Sequence, residues 1–483
     1  MTTAPTFTVS QIASALEADV LFPAPQHETI TGFSIDSRSI QPGQLFWALP
    51  GKTHDAHVYL SEAFSSGATS AIVNRNHPIV AELISSGTNN GVDQPRNVIA
   101  VNDTYHALRK LATWHRTHLD TLTLGITGSV GKTTTKDFLH DLLSAQFQGL
   151  KTPGNFNTDV GLPLSLLQLS SQHEFGLFEM GARSPGDIRL LADIVRPEIG
   201  LLTAVEPAHL ETFGGMDTIY QTKWELIEAL PTTGFAVING DDPKLKRLAS
   251  HLDCKVLTVG FQPGNSLSCT HQHIDPKRGI QFDADGVHYQ TRLYGKPSIQ
   301  ACMFAIAVAR ELGVDGSLIK PAVESLVHPP GRMQPLRVGR WTILDDTYNA
   351  SPASMKEAVN TLANWPEDLK KIVIAGSMFE LGKRCSEYHF QVGQLVAKRG
   401  IDQLLTCGEQ ALAMARGAIS SGMSGGCVSV FPDHSLMMDM LPCLLDEPAI
   451  ILIKGSRGMK MERILEYLRN YLQPSPGVFK QSA

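Results

Sequence analysis

Short apolar runs alternate with segments of helical periodicity along most of the chain. The clearest run occupies residues 122–127, and it is followed by a glycine-rich loop and by apolar residues at 138, 139, 142 and 143, which recur near the helical period. Lys136 falls on another face of that predicted helix. Strand, loop and helix recur in this order, which is typical of mostly parallel sheets covered by helices. The pattern therefore predicts an α/β fold.

The same pattern divides the chain into three predicted domains. Residues 1–103 combine short strands and helices and include a turn-rich loop at 89–95. Residues 104–330 hold the strongest alternation of strands and helices and end in a segment with the composition of a linker. Residues 331–483 repeat the alternating pattern with five predicted strands, and we expect a second doubly wound unit there. Within the central domain, the segment 255–293 has short apolar runs between glycine turns and reads as antiparallel strands.

Length and composition are those of a soluble globular protein. A chain of 483 residues fits three domains of about 150 residues. The net charge of -6, without a basic run, argues against a nucleic-acid binder, and no apolar segment approaches the roughly 18 residues needed to span a bilayer. The first residues lack the features of a signal peptide, so we expect a cytoplasmic protein. Seven cysteines without a C-x-x-C pair predict reduced thiols, mostly in the core.

The loop after the first central strand has the chemistry of a phosphate-binding loop. Residues 128–133 read G-x-x-G-K-T, although Ile126 stands where the general G-x-x-x-x-G-K-[ST] pattern needs its first glycine. Glycines let backbone N–H groups approach phosphates, Lys132 adds a charge, and the Thr133 hydroxyl can ligate Mg2+. The alternative is a glycine turn before an ordinary capped helix.

Three further residues could hold metal ions near this loop. Glu179 and His209 follow two predicted strands, and ligands of parallel sheets bind beyond the carboxyl ends of strands. His209 alone could equally have a structural role. Lys223 lies on one helical stripe with Ile219 and Leu226, which face the core. A lysine there must snorkel, pair with a carboxylate, or react while neutral with carbon dioxide to give a metal-ligating carbamate.

Polar groups elsewhere have two possible interpretations. Ser37 and Arg38, beside Asp36, could present donors to a phosphate or a nucleobase, or they could form an exposed turn with an ion pair. In the last domain, polar clusters at 345–351 and 454–457 follow predicted strands. Polar strand ends on two α/β domains predict a ligand cleft between them.

Together these motifs resemble the Mur ligase family over nearly the whole chain. The matching segments, given by residue number, are 36–38 with 43–46, 127–134, 155–157 with 161–163, 179–181, 208–211, Lys223, 331–332, 346–352, 380–382 and 454–457. The shortened glycine spacing is the form that this family uses. The resemblance implies a small N-terminal α/β domain that binds a UDP-linked substrate, a central P-loop ATPase domain and a Rossmann-like C-terminal ligase domain.

The resemblance also implies an activity. Within the family, the ligase that adds the third residue of the peptide carries an Asp-Asn-Pro-Arg segment for recognising its amino acid, and this segment does not occur here. The motifs at 346–352 and 380–382 point instead to the reaction that joins D-alanyl-D-alanine to UDP-N-acetylmuramoyl-tripeptide. ATP and Mg2+ are the implied cofactors, and a monomer that synthesises peptidoglycan precursors is expected. Two alternative functions stay open: a related amide ligase with another acceptor, and a regulatory P-loop NTPase that hydrolyses ATP without joining two substrates.

By the same resemblance, each candidate residue has an expected role. Lys132, Lys223 and His209 are the expected catalytic residues, and Ser37 and Arg38 are expected to bind the UDP-linked substrate. The expected metal ligands are Thr133, Glu179, His209 and Lys223, and the expected nucleotide contacts are Gly128, Ser129, Val130, Gly131, Lys132, Thr133, Thr134, Asn157, Arg332, Asp346, Tyr348 and Asn349.

The sequence departs from the family pattern at two places. Asp55-Ala-His57 replaces the usual Asp-Gly-His, and residues 297–301 replace the usual His-Asn-x-x-Asn. The second departure concerns the nucleotide side of the central domain.

Overall fold

The computed structural model describes residues 5–24, 28–51, 54–86, 96–275 and 278–472, and the loop predicted at 89–95 lies outside these ranges. The described chain forms three large sheets with helices on their faces, which confirms the predicted α/β class. The predicted domain boundaries after residues 103 and 330 fall between these sheets and stay predictions.

The N-terminal sheet has five strands in the order β2-β7-β6-β5-β4, parallel except for the β2–β7 pair. Thr8 caps the first helix in a capping box with Gln11. The elements are β1 (Phe7–Thr8), α1 (Val9–Leu16), β2 (Asp19–Val20), β3 (Thr29–Ile30), β4 (Phe33–Ser34), β5 (Leu45–Trp47), α2 (Leu60–Ser65), β6 (Ser70–Asn74), α3 (Pro78–Ser86) and β7 (Asn97–Val101).

The central sheet has nine strands in the order β16-β15-β14-β13-β12-β11-β8-β10-β9. Its first elements are α4 (Thr104–Arg116), β8 (Leu122–Thr127), α5 (Lys132–Leu143), β9 (Gly149–Lys151), α6 (Gly161–Leu166), β10 (Phe175–Glu179), α7 (Asp187–Val195), β11 (Ile199–Leu202), α8 (Leu210–Phe213) and α9 (Met216–Glu228). The remaining elements are β12 (Phe235–Asn239), α10 (Pro243–Ala249), β13 (Lys255–Gly260), β14 (Leu267–Asp275), β15 (Gly279–Ala284), β16 (Val287–Gln290), α11 (Lys296–Glu311) and α12 (Gly316–Ser325).

The position of β8 between β10 and β11 matters most for the site. Its parallel neighbours are β10 on one side and β11 on the other, and both are wholly buried. Strands buried on both faces read as continuous apolar runs, which is why the sequence reveals them. The carboxyl ends of all three strands meet at one edge of the sheet, as ligand sites of such sheets require.

The segment 255–293 is only partly antiparallel, so that prediction was wrong for its first strand. β13 runs parallel to both β12 and β14, and the antiparallel pairs are β14–β15 and β15–β16. Glycine turns of similar composition bound parallel and antiparallel strands alike, and the composition alone does not fix the direction.

The C-terminal sheet has six strands in the order β17-β18-β22-β19-β20-β21. The five predicted strands are confirmed, and an antiparallel edge strand, β17, precedes them. The elements are β17 (Gln334–Val338), β18 (Trp341–Asp346), α13 (Pro352–Ala363), β19 (Lys370–Gly376), α14 (Cys385–Lys398), β20 (Gln403–Cys407), α15 (Ala411–Ser420), β21 (Val428–Phe431), α16 (His434–Leu444), β22 (Ala449–Lys454) and α17 (Glu462–Leu472).

The cysteines are less buried than predicted. All seven are free thiols, but only three are buried, three are partly buried and Cys443 is exposed. None of the helices in the described ranges is long and apolar enough to cross a membrane.

Candidate active site

The loop between β8 and α5 is fixed in shape by the end of β11. Gly128 has φ of 148°, and a Cβ there would lie 2.1 Å from Thr203 Oγ1, so a larger residue does not fit. The Ser129 backbone N–H donates to the Ala204 carbonyl at 2.7 Å, and Thr203 Oγ1 donates to the Val130 carbonyl at 2.7 Å. The loop is therefore held in position by the neighbouring strand.

The start of α5 presents positive charge to the cavity. The helix begins at Lys132, and the residue before it, Gly131 (φ 84°), supplies no side-chain cap to the first N–H groups. Such free N–H groups, together with the helix dipole, favour a bound anion. Lys132 Nζ donates to the Gly128 carbonyl at 2.8 Å. Burial lowers the pKa of Lys132, although the nearby Glu179 carboxylate acts in the opposite direction.

Glu179, at the end of β10, lies beside the start of the same helix. Its Oε2 accepts a hydrogen bond from Thr133 Oγ1 at 2.9 Å, and its Oε1 accepts one from Asn157 Nδ2 at 2.8 Å. Burial alone would raise the pKa of this carboxyl group, but the charges of Lys132 and Lys136 outweigh burial and the pKa is lowered. Glu179 is therefore an anion, and its oxygens with that of Thr133 form a donor set that suits Mg2+.

Lys136 is buried, and the sequence pattern missed its role. It is only 1% exposed. Its Nζ donates to the Thr152 carbonyl at 2.9 Å and lies 3.6 Å from Glu179 Oε2. A lysine can be buried when its charge is paired in this way. Its spacing of four residues from Lys132 places both lysines on one side of α5, and that spacing was the available signal.

His209 and Lys223 lie on the other side of the phosphate loop, after β11 and within α9. His209 has a left-handed backbone with φ of 51°, and its Nδ1 pairs with the Glu380 carboxylate of the C-terminal domain. Burial lowers the pKa of His209, against the effect of Glu380. His209 therefore connects the central domain with the next one.

The environment of Lys223 lowers the pKa of its amine. The residue is 4% exposed, and its Nζ lies 5.9 Å from the centre of the Phe213 ring. Among the described residues, no carboxylate forms an ion pair with it. Burial, reinforced by the charge of Lys132, lowers its pKa to about 7. The sequence left three options for Lys223: snorkelling, pairing with a carboxylate, or forming a carbamate. Among the described residues, no carboxylate pairs with it, so the other two options remain.

Arg332, in the segment that joins the central and C-terminal domains, reaches the phosphate loop. Its Nη2 donates to Thr133 Oγ1 at 2.9 Å, and its guanidinium stacks 4.1 Å from the centre of the Tyr348 ring. The Tyr348 backbone N–H donates to the Gly331 carbonyl at 3.1 Å. One arginine thus contacts both domains.

Asp346, at the end of β18, is bound on both oxygens. Oδ2 pairs with Lys454 Nζ at 2.6 Å, and Oδ1 accepts the Met333 N–H at 3.2 Å. Lys454 also donates to the Asn349 carbonyl at 2.9 Å. The sequence placed Asp346 among polar strand ends, and Lys454, from the last of those clusters, is the side chain that holds it.

One cavity of about 1270 Å3 lies between the central and C-terminal domains. It confirms the predicted cleft. It brings together every candidate nucleotide and metal residue, namely Gly128, Ser129, Val130, Gly131, Lys132, Thr133, Thr134, Asn157, Glu179, His209, Lys223, Arg332, Asp346, Tyr348 and Asn349. The sequence also missed Arg109, which lines this cavity and pairs with Asp159 at 2.5 Å.

The structure does not bring Ser37 and Arg38 to this cavity. They lie in the N-terminal domain after β4, where Arg38 forms two hydrogen bonds of 2.8 Å with the Asp36 carboxylate. The Arg38 side chain is 81% exposed. The exposed ion-pair turn is the alternative that this arrangement favours, and a role in substrate binding stays a prediction.

Both departures from the family pattern lie in the described part of the structure. Ala56 lies in a short 3-10 helix with negative φ, so a glycine is not needed there. His57 is buried, with its Nδ1 2.6 Å from Asp55 Oδ1 and its Nε2 accepting the Asn74 N–H at 2.8 Å. In the second departure, Pro297 lies in the first turn of α11, where proline is tolerated. The whole stretch 296–298, with Gln300, lines the cavity.

Comparisons with known proteins identify the family of this chain. Three family models match: the Mur ligase family catalytic domain over residues 29–116, the Mur ligase middle domain over 126–309, and the Mur ligase glutamate ligase domain over 331–457. A curated UDP-N-acetylmuramoyl-tripeptide--D-alanyl-D-alanine ligase from Bacillus subtilis is 30% identical over 466 residues, covering 95% of this chain and 98% of the relative. The chain belongs to the Mur ligase family.

Other members of the family are similar over most of the chain. The ligase of the same name from Escherichia coli is 31% identical over 450 residues, covering 91% of this chain and 94% of that protein. A crystal structure of MurF from Acinetobacter baumannii superposes with a TM-score of 0.84 at 27% identity, covering 97% and 100% of the two chains. A MurF ligase from Thermotoga maritima in complex with ADP gives 0.78 at 29% identity, covering 91% and 97%.

Proposed function

We propose that this protein joins D-alanyl-D-alanine to UDP-N-acetylmuramoyl-tripeptide, with ATP converted to ADP and phosphate. Membership of the Mur ligase family and the shared name of the relatives support the proposal. The observation that carries it is the single cavity in which the phosphate loop and Glu179 face Arg332 and Asp346 from the next domain. An enzyme that joins two substrates has use for such a cleft, whereas a nucleotide switch needs only the loop.

The chemistry requires a carboxylate to approach a polyanionic triphosphate. The carboxylate attacks the γ-phosphorus, ADP leaves, and an acyl phosphate forms; the dipeptide amine then attacks the acyl carbon, phosphate leaves and the amine loses its proton. Phosphoryl transfer of this kind depends mainly on positioning and on electrostatic stabilisation. Positive charge from Lys132, Arg332 and the N-terminus of α5 meets that need.

In this proposal the central domain holds the triphosphate. Lys132 and the amides of the loop would bind its β- and γ-phosphates, with Arg332 at the γ-phosphate. Thr133 and Glu179 would hold one Mg2+, which supplies charge that screens the repulsion between carboxylate and triphosphate. The remaining nucleotide contacts would be Gly128, Ser129, Val130, Gly131, Thr134, Asn157, Asp346, Tyr348 and Asn349.

His209 and Lys223 would hold a second Mg2+ near the attacking carboxylate. A neutral lysine amine adds to carbon dioxide to form a carbamate and releases one proton, and the resulting anion is an oxygen ligand. The lowered pKa of Lys223, about 7, and its lack of a partner carboxylate among the described residues support this role. Without the carbamate, His209 would offer the ion only a nitrogen, which Mg2+ disfavours.

We also infer that the enzyme works as a cytoplasmic monomer. All the groups proposed to bind nucleotide and metal come from one chain, so no second copy is needed to complete the cavity. ATP and nucleotide-linked precursors are cytoplasmic compounds. Size-exclusion chromatography with light scattering measures the oligomeric state, and a stable dimer would contradict the monomer.

The decisive experiment measures ADP release with UDP-N-acetylmuramoyl-tripeptide, with and without D-alanyl-D-alanine. We expect release to depend on the dipeptide and to match the amount of ligated product. Lys132→Ala should abolish both, whereas the exposed Lys246→Ala should leave both unchanged. ATP hydrolysis at a rate that is the same with and without the dipeptide, and that yields no ligated product, would favour a regulatory NTPase instead. Ligation with another amine would favour a related amide ligase.

A further inference from the structure

The acceptor amine presents a charge problem that the proposed nucleotide and metal contacts do not solve. An α-amine has a pKa near 8, so most of it reaches the cavity as an ammonium ion at neutral pH. The other reacting groups, a carboxylate and a triphosphate, are anions that the basic side of the cavity attracts. The incoming ammonium therefore needs a carboxylate close to the proposed reaction centre.

Most carboxylates of the cavity already have partners. Glu179 and Asp346 are bound on both oxygens, as described above. Asp187 accepts the N–H groups of residues 183 and 184, and Asp241 those of residues 261 and 262. Asp159 pairs with an arginine. Both oxygens of Glu179, Asp346 and Asp241 therefore have partners, whereas Asp187 and Asp159 are each bound through Oδ2.

Three carboxylates remain, and their positions differ. Glu206 and Glu357 lie in a group with Lys356, whose charge acts on Glu206. Glu380 instead contacts His209, next to Lys223 and Lys132. Within the described part of the chain, that contact is the only one of the Glu380 carboxylate. Its side chain is 52% exposed, so a ligand can reach it.

The backbone holds Glu380 at this point of the cleft. Glu380 has φ of 62°, a left-handed conformation that costs energy in a residue other than glycine and persists only where the surroundings impose it. The loop is tied on its N-terminal side, where the Met378 N–H donates to His389 Nε2 at 2.8 Å and the Phe379 N–H to Ser456 Oγ at 2.9 Å. The carboxylate is thus positioned by the C-terminal domain and aimed at the central one.

We propose that Glu380 binds the ammonium group of the acceptor dipeptide and holds it beside the activated carboxyl group of the other substrate, where the ammonium loses one proton to solvent before its nitrogen attacks the acyl carbon. Glu380 contacts His209 when no acceptor is present, and the ammonium takes that place when the acceptor binds. The assignment rests on the proposed ligase function, and it names the residue of the C-terminal domain that selects a substrate with a free amine.

Glu380→Gln tests the proposal because it removes the charge and keeps the shape. We expect the KM for D-alanyl-D-alanine to rise by about tenfold, with the KM values for ATP and UDP-N-acetylmuramoyl-tripeptide within about twofold of wild type. Formation of the acyl phosphate, trapped with hydroxylamine in the absence of dipeptide, should stay at the wild-type rate. Glu380→Asp should keep most of the affinity for the dipeptide.

The control is Glu357→Gln, which removes a cavity carboxylate of the same domain and should leave the KM for the dipeptide unchanged. An unchanged KM in Glu380→Gln would overturn the proposal. So would a parallel loss of hydroxylamine trapping, because the residue would then act through His209 in the first step. Failure of the ligase function itself looks different, since the wild-type enzyme would then show no dipeptide-dependent ADP release.

Discussion

The carbamate proposed for Lys223 makes a quantitative prediction about how much reactive amine the protein supplies. At pH 7.5, a pKa of about 7 leaves roughly three quarters of the amine neutral, whereas the ordinary value of 10.5 leaves about one part in a thousand. Burial therefore increases the reactive fraction by several hundredfold. Activity should fall as the pH drops below about 7, because the protonated amine cannot take up carbon dioxide.

The perturbation is Lys223→Ala, with Lys246→Ala as the control for loss of a lysine. We expect kcat to fall by about 10²- to 10³-fold, the range measured when one electrostatic stabiliser is removed from an active site. Formate or acetate, supplied in millimolar amounts, should restore part of the activity to Lys223→Ala only. Removal of carbon dioxide should lower wild-type activity reversibly, and bicarbonate labelled with carbon-13 should give a carbamate resonance that the variant lacks.

Two results would refute this reasoning. Activity of Lys223→Ala within about twofold of wild type would show that the side chain is not needed. Wild-type activity that is indifferent to carbon dioxide, with no labelled carbamate, would show that the lysine acts as an amine. A buried neutral lysine would then have a packing role against Phe213.

Three predictions concern stability and are tested by urea unfolding. In buffer free of carbon dioxide, Lys223→Met should have a larger free energy of unfolding than wild type below pH 7. Above pH 7 this difference should shrink by up to about 1.4 kcal/mol per pH unit, because the lysine loses its proton at a lower pH in the folded protein than in the unfolded chain. Wild type should lose up to about 1.4 kcal/mol per pH unit as the pH falls from about 6.5 toward 4, because burial lowers the pKa of His328 to about 4; His328→Gln should flatten that slope. Lys454→Met should cost about 3 kcal/mol, because it leaves Asp346 without its cation.

Each of these has a contrary outcome. A constant difference between Lys223→Met and wild type over the pH series would mean that the lysine titrates normally. Equal slopes for wild type and His328→Gln would assign the acid sensitivity to other groups. A loss below about 1 kcal/mol in Lys454→Met would mean that water reaches Asp346 and replaces the ammonium.

The sequence predicted the α/β class, most buried strands and the nucleotide and metal candidates that line the cavity, because each rests on a local pattern. Continuous apolar runs reveal β8, β10 and β11, and polar residues at their ends follow from parallel topology. The order of the strands came only from the structure. The parallel direction of β13 depends on contacts across the sheet, which no local pattern encodes.

Side-chain pairing was the part that the sequence could not supply. Lys136 counted as a polar position in the helical pattern, and its burial depends on carbonyls that the fold brings to it from residues 152 and 154. Likewise, His209 and Glu380 are about 170 positions apart in the chain, and the direct contact between them exists only because two domains meet. Periodicity assigns a face to a residue but does not identify its partner.

The segment that links the central and C-terminal sheets crosses between them once, between Ser325 and Gln334. It includes Arg332, which touches the phosphate loop, and Met333, which is bonded to Asp346. A change in the angle between the domains therefore changes the affinity of the nucleotide site, and nucleotide binding in turn favours one angle, because such coupling is reciprocal. A compound that wedges open the outer edge of the cleft would weaken ATP binding without touching a phosphate contact. ATP would weaken the binding of that compound by the same factor.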